Sequence, residues 1–306
     1  MKGLYANRSP LYQTGVLFTL ILTGFAISSC LIFCVVLVKS MISGKLEVDL
    51  LDQSVGLLQI TQFVSAILMF LLPALCTAWL CSKHPKDFLS IRAYPDSRLL
   101  IIICITTLLL SPTVSLTGYF NAKIQLPSSM EAIETWMKSS EDRAYLLIQQ
   151  MIAAKGVFMF VLNLIVIAVT AAVTEEFLFR GALQPIIQRK IQNHHLTIWI
   201  VAAIFSAIHF QFYGFIPRLI LGSYLGYLLY WTKNIWVPVF AHFFHNAVAF
   251  IGMSDASLKD HPFFSDDISP DDIRWLSITA GVCLLLFFVL LRLLFRSKFG
   301  RMPDTV

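Results

Sequence analysis

From Val157 to Val173 the chain is almost uninterruptedly apolar, and the run ends in Glu175-Glu176-Phe177-Leu178-Phe179-Arg180-Gly181. The whole apolar segment, about 151–189, is longer than the roughly 20 residues a membrane-spanning helix requires. Two carboxylates and an arginine at that depth are costly, at roughly 2.5–3.5 kcal/mol per charge on insertion scales. Such residues face a protein interior or a wet cavity and mark function. The competing account is an interfacial ion pair that ends a helix.

Helical phase separates the two glutamates. Glu176 and Arg180 are four apart and share a face, so they are expected to pair. Glu175 lies about 140° around the helix from Arg180 and is left without a local cation. An unpaired carboxylate in a poorly solvated site is the kind of group that serves as a general base near neutral pH.

Seven further apolar segments lie near 14–38, 55–81, 99–119, 196–213, 216–232, 235–253 and 273–295. Together they predict an all-α, polytopic integral membrane protein of about eight helices. Composition agrees, with 57% hydrophobic and 13% charged residues, against about a quarter charged in soluble domains. Ile27-Ser28-Ser29-Cys30 is similar to a lipoprotein cleavage box, but Leu31 to Val38 continue the apolar run, so the first segment reads as a retained helix. The formal charge of +5 comes from basic residues scattered between segments and nowhere in a stripe, so no nucleic-acid partner is expected. None of the six cysteines forms a CxxC pair, and they read as small core residues.

Loop charges set an orientation. Lys83, Lys86, Arg92 and Arg98, then Arg189 and Lys190, then Lys233, then Arg292, Arg296, Lys298 and Arg301 mark one side. Glu131, Glu134, Glu141, Asp142 and the group Asp255, Asp260, Asp266, Asp267, Asp271 and Asp272 mark the other. Lys39 and Lys45 carry no weight either way. Both termini are thereby expected in the cytoplasm.

Within segment 121–150, Met130, Ile133 and Met137 recur at helical spacing among polar residues. This predicts a short helix lying on the membrane surface, with a flap over a cavity as the alternative. Gly222 and Gly226 form a GxxxG pair, which admits a close helix neighbour or a homodimer contact. No repeat or second domain is evident. The chain divides into a variable part (1–150), a core (151–253) and an outer loop with the last helix (254–306).

Three more polar residues interrupt apolar segments: His209 in the fifth, and His242 and Asn246 in the seventh. One intramembrane histidine alone is more often a packing residue than a catalyst. Depth changes that balance. Glu175 and His209 are both about 17 residues from a turn near Gln192, so an antiparallel hairpin sets them at one level. His242 and Asn246 lie roughly 12 and 18 Å in from Asn234 and project from one face, with His245 on a neighbouring face. A carboxylate, two imidazoles and an amide in one layer make a hydrolytic site. The carboxylate and one imidazole can activate water, while the other imidazole and the amide donate to an oxyanion. Neither G-x-S-x-G nor HExxH is present.

Glu175-Glu176-x-x-x-Arg180, Phe205-x-x-x-His209 and His242-x-x-x-Asn246, in this order, resemble the three motifs of the CAAX-prenyl endopeptidase and bacteriocin-processing (CPBP, or Abi) family. Leu221 to Gly226 and Asn234 to Pro238 are also similar to that family. The resemblance covers about Thr170 to Ala249. It implies an intramembrane glutamate protease with its site among helices 4, 5 and 7. In that scheme Glu175 is the base, His209 helps hold the water, and His242 with Asn246 form the oxyanion hole. Glu176, Arg180, Phe205 and His245 are supporting residues.

The resemblance implies a peptide or membrane-anchored protein as substrate, the lipid bilayer as environment, and a bacterial plasma membrane as location. A catalytically silent scaffold or immunity-type protein is the competing class, and a proton-coupled transporter a third, which lacks the paired Gly/Pro-broken helices of inverted repeats. No cofactor is expected. Zinc is the alternative, disfavoured because no tight histidine pair is present and the only carboxylates at this depth are the motif glutamates.

Overall fold

The computed structural model describes residues 2–44, 49, 53–255, 257–258, 261 and 268–299. Of the charges used for orientation, Lys45, Asp260, Asp266, Asp267 and Arg301 lie outside the described residues, as do the side chains of Arg296 and Lys298. Helices account for every regular element among the described residues. The longer ones are α1 (Pro10–Ser43), α2 (Val55–Cys81), α3 (Ser97–Ala122), α4 (Glu131–Ile152), α5 (Val157–Ile191), α6 (His194–Ala207), α7 (Phe215–Thr232), α8 (Trp236–Ser254) and α9 (Pro270–Phe299). Seven of them, all but α4 and α6, are long and apolar enough to cross a membrane. Apolar side chains such as Phe18, Phe158 and Leu285 remain exposed along the spans. Such faces suit hydrocarbon, where a helix satisfies its own backbone and needs no polar side. The chain is a multi-pass membrane protein.

Local signals explain the helix ends. Ser9 caps α1 by accepting from Tyr12 N at 3.3 Å, with Pro10 in the first turn. Asp96 caps α3 through Leu99 N at 2.8 Å. α5 has 35 residues, about 52 Å at 1.5 Å each, well beyond a bilayer core of about 30 Å. It is widened twice, at Leu164–Thr170 and Phe177–Leu183, by π-helical turns.

The main core packs around the second half of α5. Phe177, Leu178, Phe179, Ala182, Leu183 and Ile186 meet Ala74 and Ala78 of α2, Val201 and Phe205 of α6, and Ile235 and Val239 at the start of α8. The glycine pair of α7 is used inside the chain: a Cβ on Gly226 would fall 2.8 Å from Ile198 Cγ2, and one on Gly222 3.1 Å from Phe205 Cδ1. Neighbours from α6 and α5 thus lie against the two glycines within the chain. The pair lets α7 lie close against α6.

The fifth segment departs from expectation. α6 has only 14 residues and ends at Ala207, so His209 lies in the turn beyond it. Phe210 adopts φ 53°, and side chains capture the turn's carbonyls. Ser206 Oγ donates to Phe215 O at 2.7 Å, and Asn121 Nδ2 to Phe212 O at 2.7 Å. These bonds, one of them reaching in from α3, take the place of the next helical turn.

α4 is the amphipathic helix the spacing predicts, and it covers this turn. Trp136 sets its ring 5.5 Å from Phe212 and 6.4 Å from Phe210, centroid to centroid. At its other end Asn163 of α5 donates to Met151 O at 2.7 Å and accepts from Gln59 of α2 at 2.7 Å. Arg143 pairs with Asp49.

Candidate active site

Glu175 and Glu176 close the regular stretch Ala171–Glu176 of α5, and Arg180 sits in the π-helical turn that follows. Arg180 Nη1 donates to Glu176 Oε1 at 2.9 Å, with both side chains fully buried. Arg180 Nη2 donates to Gly222 O at 2.8 Å, and the guanidinium lies 4.7 Å from the ring centroid of Phe205. The expected pair is formed, and α7 and Phe205 complete the cation's surroundings.

The same carboxylate oxygen also receives His242. Nδ1 of that ring is 2.9 Å from Glu176 Oε1, and because a carboxylate only accepts, Nδ1 carries the proton. Nε2 is thereby turned toward Glu175, whose Oε2 is 3.9 Å away. The Glu175 side chain is 15% exposed while that of Glu176 is 0% exposed. The two neighbours therefore have the unequal settings that helical phase anticipates.

His209 is fixed in a comparable way. Its Nδ1 donates to Phe205 O at 2.7 Å, which leaves Nε2 for the site. Phe205 stands edge-on between the two imidazoles, 5.1 Å from His209 and 6.0 Å from His242. Glu175 and His242 lie within electrostatic reach of His209. Glu175, Glu176, Arg180, Phe205, His209 and His242 thus form one cluster. Asn246 stands one helical turn beyond His242, its Nδ2 3.5 Å from Ile167 O, a distance too long for a firm bond. His245 makes no side-chain hydrogen bond to the described residues and lies within reach of His242.

The donors a metal could take here are the Nε2 atoms of His209 and His242 and the Glu175 carboxylate. Among the described residues no three His, Cys, Asp or Glu side chains are grouped to hold a metal ion.

The sequence reading overlooked Arg218. Its guanidinium lies within electrostatic reach of both Glu175 and His209. Its signal was available: a charged residue inside the apolar segment 216–232 is as costly as those in α5. It also overlooked the bond from His242 to Glu176, which sequence spacing does not encode.

Fold and site together define a helical membrane protein with a buried glutamate–histidine cluster built from α5, the α6–α7 turn and α8. Residues 157–248 match the family described as type II CAAX prenyl endopeptidase Rce1-like. Every site residue named above lies inside that segment. The chain is also 34% identical over 90 residues to the uncharacterized protein YpbD of Bacillus subtilis (strain 168), over 28% of this chain and 43% of the relative. The chain thus spans less than half the length of that curated relative. No solved structure matches the chain.

Proposed function

We propose that the chain is an intramembrane endopeptidase that hydrolyses a peptide bond with glutamate-activated water, near the cytoplasmic side of a bacterial plasma membrane. The observation that carries this is Glu175: excluded from the Glu176–Arg180 pair, partly exposed, and faced by His242 Nε2 at 3.9 Å. The match of residues 157–248 to the Rce1-like family supports the reaction class.

Glu175 takes a proton from a water that His209 also holds, and the water oxygen bonds to the carbonyl carbon. The carbonyl π electrons move to oxygen. His242, held through Nδ1 by Glu176, donates from Nε2 to that oxyanion when its ring carries a second proton, and Asn246 donates from its amide after a small shift from Ile167 O. On collapse the C–N bond breaks, and the proton on Glu175 passes to the leaving nitrogen. No step calls on a metal.

The substrate in this reading is a peptide or a membrane-anchored protein. Cells carrying wild type or Glu175→Ala are compared by proteomics, and one uncleaved peptide should accumulate with the variant. In parallel, purified protein is offered a quenched-fluorescent peptide ending in a farnesylated CAAX box and its unprenylated twin. Identical proteomes together with no cleavage of either peptide would leave a silent scaffold as the better account.

A further inference from the structure

His209 is not held by a helix. It sits in the turn between α6 and α7, followed by Phe210 at φ 53°, a left-handed conformation that bulky residues disfavour. Such a turn keeps its shape only through its surroundings. Arg218, in the first turn of α7, folds its guanidinium back across it. Nη1 donates to Gln211 Oε1 at 2.6 Å and Nη2 to Gln211 O at 2.7 Å. This is the two-pronged grip that a guanidinium makes and an ammonium does not. Gly214 lies directly under it, since a Cβ there would fall 2.3 Å from Nη2.

From the other side comes Glu141 of α4. Its Oε1 is 3.9 Å from Arg218 Nη2, and its Oε2 accepts from Tyr213 N at 3.3 Å. The charged or titratable groups facing His209 are therefore Glu175 from α5, Arg218 from α7 and His242 from α8. Glu141 stands behind Arg218. None of Arg218, Gln211 and Glu141 belongs to the three motifs, and none has a place in the proposed reaction.

We infer that Arg218 is a positioning residue: through Gln211 it fixes the turn that places His209 beside Glu175, and Glu141 of the covering helix holds Arg218 there. This rests on the function proposed above only where activity is read. A purely structural Arg218 would alter folded yield and leave the folded fraction unchanged in both ring position and turnover.

The test uses full-length wild type, R218Q, R218K and E141Q in detergent, labelled with 13Cε1-histidine. The His209 signal is identified by its loss in His209→Gln. In R218Q the His209 signal should move or broaden while that of His84 stays. With the farnesylated peptide as probe, kcat should fall about tenfold to a hundredfold, as misplacement of about 1 Å does, with KM within about twofold. R218K keeps the charge, loses the double grip and should fall between; E141Q should do less than R218Q. A folded R218Q with an unmoved His209 signal and kcat within about twofold of wild type overturns the inference. If R218Q does not fold, R218K and Q211A are read by the same criteria. If wild type cleaves neither peptide and the proteomes of wild type and Glu175→Ala are identical, the proposed function is what fails, and the histidine signal still decides the role of Arg218.

Discussion

His242 and Arg180 converge on one oxygen of Glu176, each at 2.9 Å. Glu176 therefore does more than neutralise an arginine. It fixes the tautomer of the imidazole that faces Glu175, as a carboxylate behind a histidine does elsewhere.

The division between the glutamates is directly testable. Glu175→Gln should lower kcat by about 10²–10⁴, the usual worth of a general base, in a protein that inserts and melts like wild type. Thermal unfolding and single-turnover assays on the same preparation separate the two. A fully active Glu175→Gln would remove it as the base.

Glu176→Gln and Arg180→Met should both destabilise, because each strands a buried partner; breaking such a pair costs about 3–5 kcal/mol. Glu176→Gln should also lose activity per folded molecule, since His242 loses its carboxylate. Melting curves and active-site titration read these separately. If Glu176→Gln is stable and dead while Glu175→Gln is active, the two roles are exchanged.

Gly226→Val should destabilise by about 1–3 kcal/mol through overpacking, because Ile198 and Gln184 occupy the space its side chain needs. Crosslinking in membranes should show the same oligomeric state for variant and wild type. A change in oligomeric state with unchanged melting would restore the glycine pair as a contact between copies.

Orientation is expected from the loop charges: a reporter fused after Lys190 should read cytoplasmic, and one after Asp260 external. The reverse pair of readings would invert the protein and the side on which product appears.

Asn246→Ala should lose most turnover with little change in KM, as an oxyanion donor does, about 10²–10³ in kcat. Purified wild type should carry no stoichiometric metal by elemental analysis. About one zinc per chain, lost with activity in His209→Ala and restoring activity to the wild-type apoprotein, would replace this mechanism with a metal-assisted one. Inhibition by a chelator alone decides nothing.

How much of this the sequence held differs by residue. The apolar segments marked the spans, since hydrocarbon tolerates little else. Glu176 and Arg180 were legible because an i,i+4 pair is local. His209 was identified as a residue yet misplaced in structure: apolarity runs on to 213, and nothing in composition shows that Ser206, Asn121 and Arg218 halt the helix at Ala207. The bond from His242 to Glu176 joins residues 66 apart and depends on how α8 packs on α5. Helical phase alone could not supply it.

The pairing of Glu176 with Arg180 also bears on biogenesis. Because the two cancel within one helix, the part of α5 ahead of its terminal Arg189 and Lys190 can partition into the bilayer with a single uncompensated carboxylate, Glu175, instead of three charges. His242 is synthesised 66 residues after Glu176. Nascent α5 therefore enters the membrane nearly neutral but structurally incomplete, and the buried glutamate–histidine cluster is assembled only when α8 arrives.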